Sequence, residues 1–479
     1  MKELDYMSPK IAFIQKSAYE KVSVHYLAGA LRTAGYECQV FIAELENDFY
    51  GAIKDFCPNY IAYSLFIGEE SFAVSAFRKL KENIPDATYV VGGPFTAIFT
   101  LIYRLPEIDY LFRGDGELTL VEFIRRREKG EDVSDLPGIS YIDDTGGDHV
   151  NNDLRLIDVK KAPMPDRDIY YKKYEVLKNR PTKIFIGSRG CPYRCSYCYN
   201  AELSKIFSTP YWRVRPVKDV IEEVIYVNES YGLEWAHFQD GTLNANLPWL
   251  KEFLAAYKAA GLPPFLCNCR VENIDEEIIM LMKEAGCERI TFGIQSGNPG
   301  IRNNVAGRPM DNSKIVNACK LCKDNGIRVG VDIIFGWPGE TMEEAMDTIR
   351  CCREIDVDSY HSNILIFYPG LQVTRLAVDK GFIAKEPSLE EVDTHHSNMS
   401  LLLTENKRIM INLDKWFNYL IRYPWLEPLI LPLLRFPPNR FYYILKNLHL
   451  LRRGLFFDTD RSKIGMIKDY LVLSWRAVR

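Results

Sequence analysis

Up to about residue 130, short apolar runs alternate with stretches whose apolar residues recur every three or four positions. Residues 10–14, 37–42, 60–64 and 88–91 read as strands, while 23–34, stopped by Gly35, and 71–82 read as helices. Strands that are apolar on both faces predict a parallel sheet covered by helices on each side. That is a doubly wound α/β domain, whose ligands bind beyond the carboxyl ends of the strands. From 132 to 181 the pattern loosens into proline and glycine clusters with a short strand pair, which reads as an interdomain connection. Alternation then resumes, with strands at 183–186, 235–239, 265–269, 289–292, 328–334 and 359–364 and helices between them. Six such units predict a partial (β/α)6 barrel of the TIM type, with its chemistry at the strand carboxyl ends. Beyond His395 a helical, aromatic-rich tail follows, with Phe441, Ile444, Leu445, Leu448, Leu451 and Leu455 on one helix face. The expected domains are 1–135, a linker 136–180, a barrel 181–385 and a helical region 386–479.

Charge and composition add limits. A chain of 479 residues is too long for one core. A net charge of −4 gives no global attraction to nucleic acid, so none is expected as a partner. The most apolar stretch, 416–434, is interrupted by Arg422, Pro424, Glu427 and Pro428, so no membrane span is expected. From Glu405 to the end there are fourteen Lys or Arg against six Asp or Glu, a local charge of +8. Such a tail predicts docking on the protein's own body or, as a second reading, peripheral contact with a membrane surface.

The chemistry concentrates in Gly190-Cys191-Pro192-Tyr193-Arg194-Cys195-Ser196-Tyr197-Cys198-Tyr199, a C-x3-C-x2-C loop directly after an expected strand. A structural zinc site asks for four ligands, usually in paired C-x2-C spacing, and no second pair stands at a suitable distance. Twelve cysteines with no signal peptide describe a reduced, cytoplasmic chain rather than a disulfide scaffold. Cys319 and Cys322 also make a C-x2-C, but inside a helical pattern, and read as core. Three thiolates around a [4Fe-4S] cube would leave one iron open to a small ligand.

This loop resembles the signature of radical S-adenosylmethionine (SAM) enzymes. Upstream, Ser64-Leu65-Phe66-Ile67-Gly68, Gly92-Gly93-Pro94-Phe95 and Arg113-Gly114-Asp115-Gly116-Glu117 resemble the loops of a cobalamin-binding domain. Together they are similar to the B12-binding-domain-containing branch that holds class B methyltransferases and anaerobic cyclases. The resemblance implies Cys191, Cys195 and Cys198 as cluster ligands and Tyr197, Asp240, Arg270, Gln295 and Ser296 as contacts of SAM. It implies Ser64, Gly92, Gly93 and Gly114 beside cobalamin. Gln295-Ser296-Gly297 departs from the family's Glu-Ser-Gly, whereas Gly336-Trp337-Pro338-Gly339-Glu340-Thr341 resembles its turn beside adenine. The Asp-x-His-x-x-Gly cobalt-ligand pattern is missing, and His25 reads as a helix residue.

The implied activity is generation of a 5′-deoxyadenosyl radical and methylation of an unactivated carbon through cobalamin. The implied partners are a small-molecule or lipid-like substrate and an electron donor such as flavodoxin or ferredoxin. A radical mutase, cyclase or dehydratase with a corrin-free N-terminal domain is the alternative. An iron-sulfur electron-transfer or sensor protein is the alternative of another class.

Overall fold

The computed structural model describes residues 8–388, 391, 400–403 and 406–456. The chain divides into two compact units, Met1–Asn179 with Leu203–Asp219, and Arg180–Glu202 with Val220–Arg479.

In the first unit the strands run Glu37–Ile42, Lys10–Gln15, Tyr60–Ser64, Thr88–Gly92 and Tyr110–Phe112 across the sheet, all parallel. The sheet is doubly wound, with its topological switch point between the Lys10–Gln15 and Tyr60–Ser64 strands. Tyr60–Ser64 is buried at every position, which is why it reads as an unbroken apolar run. Ile139–Ile142 and Asp148–Val150 extend the sheet by two antiparallel strands. Residues 136–179, which read as a linker, are thus counted with this unit and supply part of its sheet.

His25 lies in helix Val22–Thr33, fully buried. Its Nδ1 bonds to the Asp166 carbonyl at 2.9 Å and its Nε2 faces the Glu20 carboxylate at 3.2 Å. Arg167 and the Tyr171 hydroxyl close on the same carboxylate. Burial pushes the Glu20 carboxyl up, but the bond from His25 and the neighbouring positive charges outweigh it and hold it below its ordinary value. Because His25 is part of this network, His25→Ala should lower the unit's stability by about 1–3 kcal/mol through the unpaired groups it leaves, measurable as an earlier unfolding transition.

The second unit is built on six parallel strands in the order Ser359–Ile364, Arg328–Phe335, Cys287–Gln295, Phe265–Cys269, Trp235–Phe238 and Thr182–Phe185. This is the expected six-stranded partial barrel. Its helices begin where the sequence supplies caps. Asp275 accepts from the Ile278 amide, and Thr341 and Glu344 form a reciprocal capping box that opens helix Met342–Ile355. Helix Asn406–Arg422 then packs against helix Met342–Ile355 and the last barrel strand, with residues 410–417 all buried. This part of the tail does dock on the protein's own body. Residues 457–479 and the side chains of Leu451 and Leu455 fall outside the described residues. No described helix is long and apolar enough to cross a membrane.

Candidate functional site

The cysteine loop leaves the first barrel strand and is tied down by long-range backbone bonds. The Ser196 amide donates to Ala306 O at 3.1 Å, the Ser196 hydroxyl to Val305 O at 2.6 Å, and the Val373 amide to Ser196 O at 3.0 Å. Tyr197 packs edge-on to the fully buried Trp337, at the heart of an apolar cluster with Ile301, Leu365 and Phe367. Beside the loop, Gly241 packs closely on Cys191. A Cβ there would stand 3.5 Å from the Cys191 sulfur and 3.3 Å from its Cβ, a close fit against this side chain.

The three thiols do not converge on one ion's position, nor does any group of three or more His, Cys, Asp or Glu among the described residues. A cube takes its thiolates on different irons, so its ligand triangle is wider than that of a single ion. Burial pushes the Cys198 thiol up to about 11 and raises that of Cys191, so in this sheltered loop a free thiolate is disfavoured without a cation.

Two guanidiniums supply positive charge around Cys195. Arg270 Nη1 lies 3.7 Å from its sulfur and Arg308 Nη1 3.6 Å. Arg270 follows the strand Phe265–Cys269, and its backbone is clamped by buried Asn244, which accepts from the Arg270 amide at 2.9 Å and donates to its carbonyl at 2.8 Å. Its guanidinium lies 3.8 Å over the Tyr193 ring and pairs with Glu272. Arg308 also lies within electrostatic reach of Tyr197 and stands near Gly293 and Gln295. Neither Arg308 nor Asn244 was apparent from sequence. Arg308 follows the one π-helical turn among the described residues, Ile301–Val305, where helical periodicity fails.

The other expected SAM contacts divide. Asp240 is buried and accepts from the Gly187 amide at 2.9 Å and the Ser188 hydroxyl at 2.5 Å, so it fixes the exit of the first strand. Gln295 ends the fourth strand with φ at +70°, a conformation rare for a side-chain-bearing residue. After that turn the Ser296 hydroxyl faces Thr348 of helix Met342–Ile355 at 3.3 Å. Glu340 accepts from the Gly336 and Trp337 amides at 2.7 and 3.2 Å. Burial nevertheless wins and pushes its carboxyl up to about 8.

The buried polar atoms of this unit that have no partner include Arg308 Nε, Glu272 Oε2 and Glu340 Oε1. Native interiors satisfy nearly all such groups, and a ligand with both a carboxylate and an ammonium would complete Arg308 Nε and Glu272 Oε2. Thiol donors, flanking cations and the unpaired Glu272 oxygen fit a cluster with SAM beside it.

In the first unit, Ser64 and Gly92 end neighbouring parallel strands. The Ser64 hydroxyl meets that of Ser23 at 2.7 Å, and its carbonyl accepts from buried Lys21. Gly92 has room, since a Cβ there would meet nothing closer than 3.7 Å. Gly93, at φ +111°, and Gly114, at φ +97°, owe their smallness to the chain itself. A Cβ would lie 2.6 Å from Leu65 O at the first and 3.2 Å from Arg155 O at the second. With both His25 nitrogens engaged, the unit offers a strand-end cradle around Gly92 and no ring nitrogen from that residue.

Residues 185–352 match the radical SAM superfamily and residues 16–124 the B12 binding domain. The chain is a radical SAM enzyme that carries a B12-binding domain, with a [4Fe-4S] cluster, SAM and cobalamin as its cofactors. It is 29% identical over 339 residues to an uncharacterized methyltransferase of Pyrococcus horikoshii, covering 69% of this chain and 72% of that one. It is 24% identical to the cytidylyl-2-hydroxyethylphosphonate methyltransferase of Streptomyces wedmorensis, covering 72% and 71%. Among solved structures it shares the fold of the radical SAM methyltransferase TsrM from Kitasatospora setae, solved with cobalamin and a [4Fe-4S] cluster. That match has a TM-score of 0.67, 17% identity and coverage of 78% and 75%. It also shares the fold of the cobalamin-dependent radical enzyme OxsB, with a TM-score of 0.71, 14% identity and coverage of 97% and 75%.

Proposed function

We propose that the chain methylates a carbon of a small molecule, using one SAM-derived radical for hydrogen abstraction and cobalamin as methyl carrier. The observation that carries this reading is the set around Cys195: three cysteines of one loop, the Arg270 and Arg308 guanidiniums and the unpaired Oε2 of Glu272 beside Arg270, on a chain with a B12-binding domain. When bound, the cluster and SAM supply a hydrogen-abstracting radical and cobalamin a transferable methyl group. The protein's own residues bind, orient and shield. Arg270 and Arg308 suit the carboxylate of SAM and Glu272 its ammonium. Glu340, whose carboxyl burial pushes up to about 8, keeps Oε1 unpaired. Tyr197 and Trp337 wall the cluster loop from water. Ser64 and Gly92 are the proposed contacts of the corrin, with Gly93 and Gly114 shaping the loops that hold them. An electron-transfer protein would have no use for this set of unpaired polar atoms. The required reductant is a low-potential donor of the flavodoxin or ferredoxin kind.

The experiment is anaerobic incubation of the reconstituted, reduced protein with SAM carrying a deuterated methyl group. Labelled methylcobalamin and 5′-deoxyadenosine are expected even without the substrate. If 5′-deoxyadenosine forms but cobalamin is neither bound nor methylated, the mutase, cyclase or dehydratase reading takes over.

Two further outcomes are expected. Arg308→Gln and Arg270→Ala should each weaken SAM binding by about 1.5–3 kcal/mol, roughly tenfold to a hundredfold in Kd, by calorimetry on the cluster-loaded protein. Bound cob(II)alamin should show no histidine nitrogen coupling in its paramagnetic spectrum, because His25 is committed elsewhere. Nitrogen coupling lost on labelling of histidine would refute that.

A further inference from the structure

Over residues 440–448, the part of helix Arg440–Phe456 whose side chains are described, large apolar groups face outward. Tyr442 is buried and Lys446 reaches inward to Asp414 at 2.7 Å, whereas Phe441, Ile444 and Leu448 stand on the solvent side. A cation turned in and three large apolar residues turned out is the reverse of a helix whose apolar face packs on its own protein. Trp425, 71% exposed, Leu429, 64% exposed, and Phe436 carry the same character onto Pro424–Leu426, Glu427–Leu433 and the turn beyond. All these segments are held by helix Asn406–Arg422. Asn412 donates to Leu434 O and Phe436 O, the Tyr419 hydroxyl donates to Leu445 O, and the Trp416 ring meets those of Phe441 and Tyr442. Grouped exposure of this kind marks an interaction surface.

Charge indicates the partner. Arg422, Arg435 and Arg440 are exposed in the same segments, and none has an ion pair among the described residues. The one carboxylate there, Glu427, is held by Arg353 at 2.8 Å. We propose that this face docks on an anionic lipid surface. Trp425, Phe436 and Phe441 would insert at headgroup depth and the three arginines would meet phosphates. A purely apolar protein partner would leave those guanidiniums without counter-charge.

The test is flotation of the full-length, cofactor-loaded protein with vesicles of phosphatidylglycerol and phosphatidylcholine, and with vesicles of phosphatidylcholine alone. Recovery with the anionic vesicles at low salt is expected, with little on the neutral ones, and it should drop roughly tenfold in high salt. The exposed-face variant Trp425→Ser/Leu429→Ser/Phe441→Ser should lose roughly tenfold in recovery as well, with iron content and far-UV circular dichroism unchanged. The charge variant Arg422→Gln/Arg435→Gln/Arg440→Gln should behave likewise. Absence of flotation at low salt, equal recovery on neutral vesicles, or wild-type flotation by the Trp425 variant would each overturn the proposal. So would a dimer in light scattering that does not float and that the same variant dissociates, since the face would then belong to a second copy of this chain.

Discussion

Replacing Cys191, Cys195 and Cys198 with alanine together should take the reconstituted protein from about four irons per chain to essentially none. The same change should end formation of 5′-deoxyadenosine. The remaining described cysteines cannot substitute. Cys267, Cys269, Cys319 and Cys322 are buried on strand Phe265–Cys269 and helix Asn312–Asp324, outside the loop. Fold should survive, because the loop is anchored through Ser196 and Tyr197 rather than through the thiols. Iron and sulfide analysis, with electron paramagnetic resonance of the reduced protein, reads the outcome. A triple variant that kept a full cluster would remove the basis for placing the chemistry here.

Much of this architecture was legible as periodicity. Fully buried parallel strands such as Tyr60–Ser64 leave unbroken apolar runs, and helices such as Met342–Ile355 begin at caps that can be read off the chain. The cysteine loop was legible because its ligands lie within eight consecutive positions. What escaped depends on distant return of the chain. Arg308 reaches Cys195 only because residues 305–306 bond back to Ser196, a closure more than a hundred residues long. Asn244 matters only through its clamp on Arg270. Ser296 is next to Gln295 in a family-like motif, yet the left-handed backbone at Gln295 precedes a hydroxyl aimed at Thr348, and spacing cannot encode that. Strands as short as Asp148–Val150 carry too few positions to announce an edge pair inside what reads as a linker. In the tail, the apolar stripe was visible but not its direction, which is set by the pull of Asp414 on Lys446.

That pull supplies the second large effect. Asp414 is fully buried on helix Asn406–Arg422, where it accepts from Ser362 at 2.8 Å, Lys415 at 2.5 Å and Lys446 at 2.7 Å. Asp414→Ala would strand two lysines in a dry layer, and should cost about 3–5 kcal/mol, enough to loosen helix Arg440–Phe456 from the barrel. Burial raises the Asp414 carboxyl, but Lys446 and then Lys415 outweigh it, so its pKa ends below the ordinary value. A lowered acid pKa means that this stabilisation is present above the unfolded carboxylate pKa and disappears as pH falls through the folded one. Lys415 has the opposite balance, since burial outweighs the attraction of Asp414 and pushes it down to about 8. The folded state therefore favours neutral Lys415, and its contribution should improve as pH rises from about 8 towards the usual lysine range. Lys415→Met is thus expected to cost much less than Asp414→Ala. Thermal melts of both variants between acid and mildly alkaline pH check the order, and limited proteolysis near residue 440 checks the loosening. Equal midpoints for wild type and Asp414→Ala would mean that this ion cluster does not hold the helix in place.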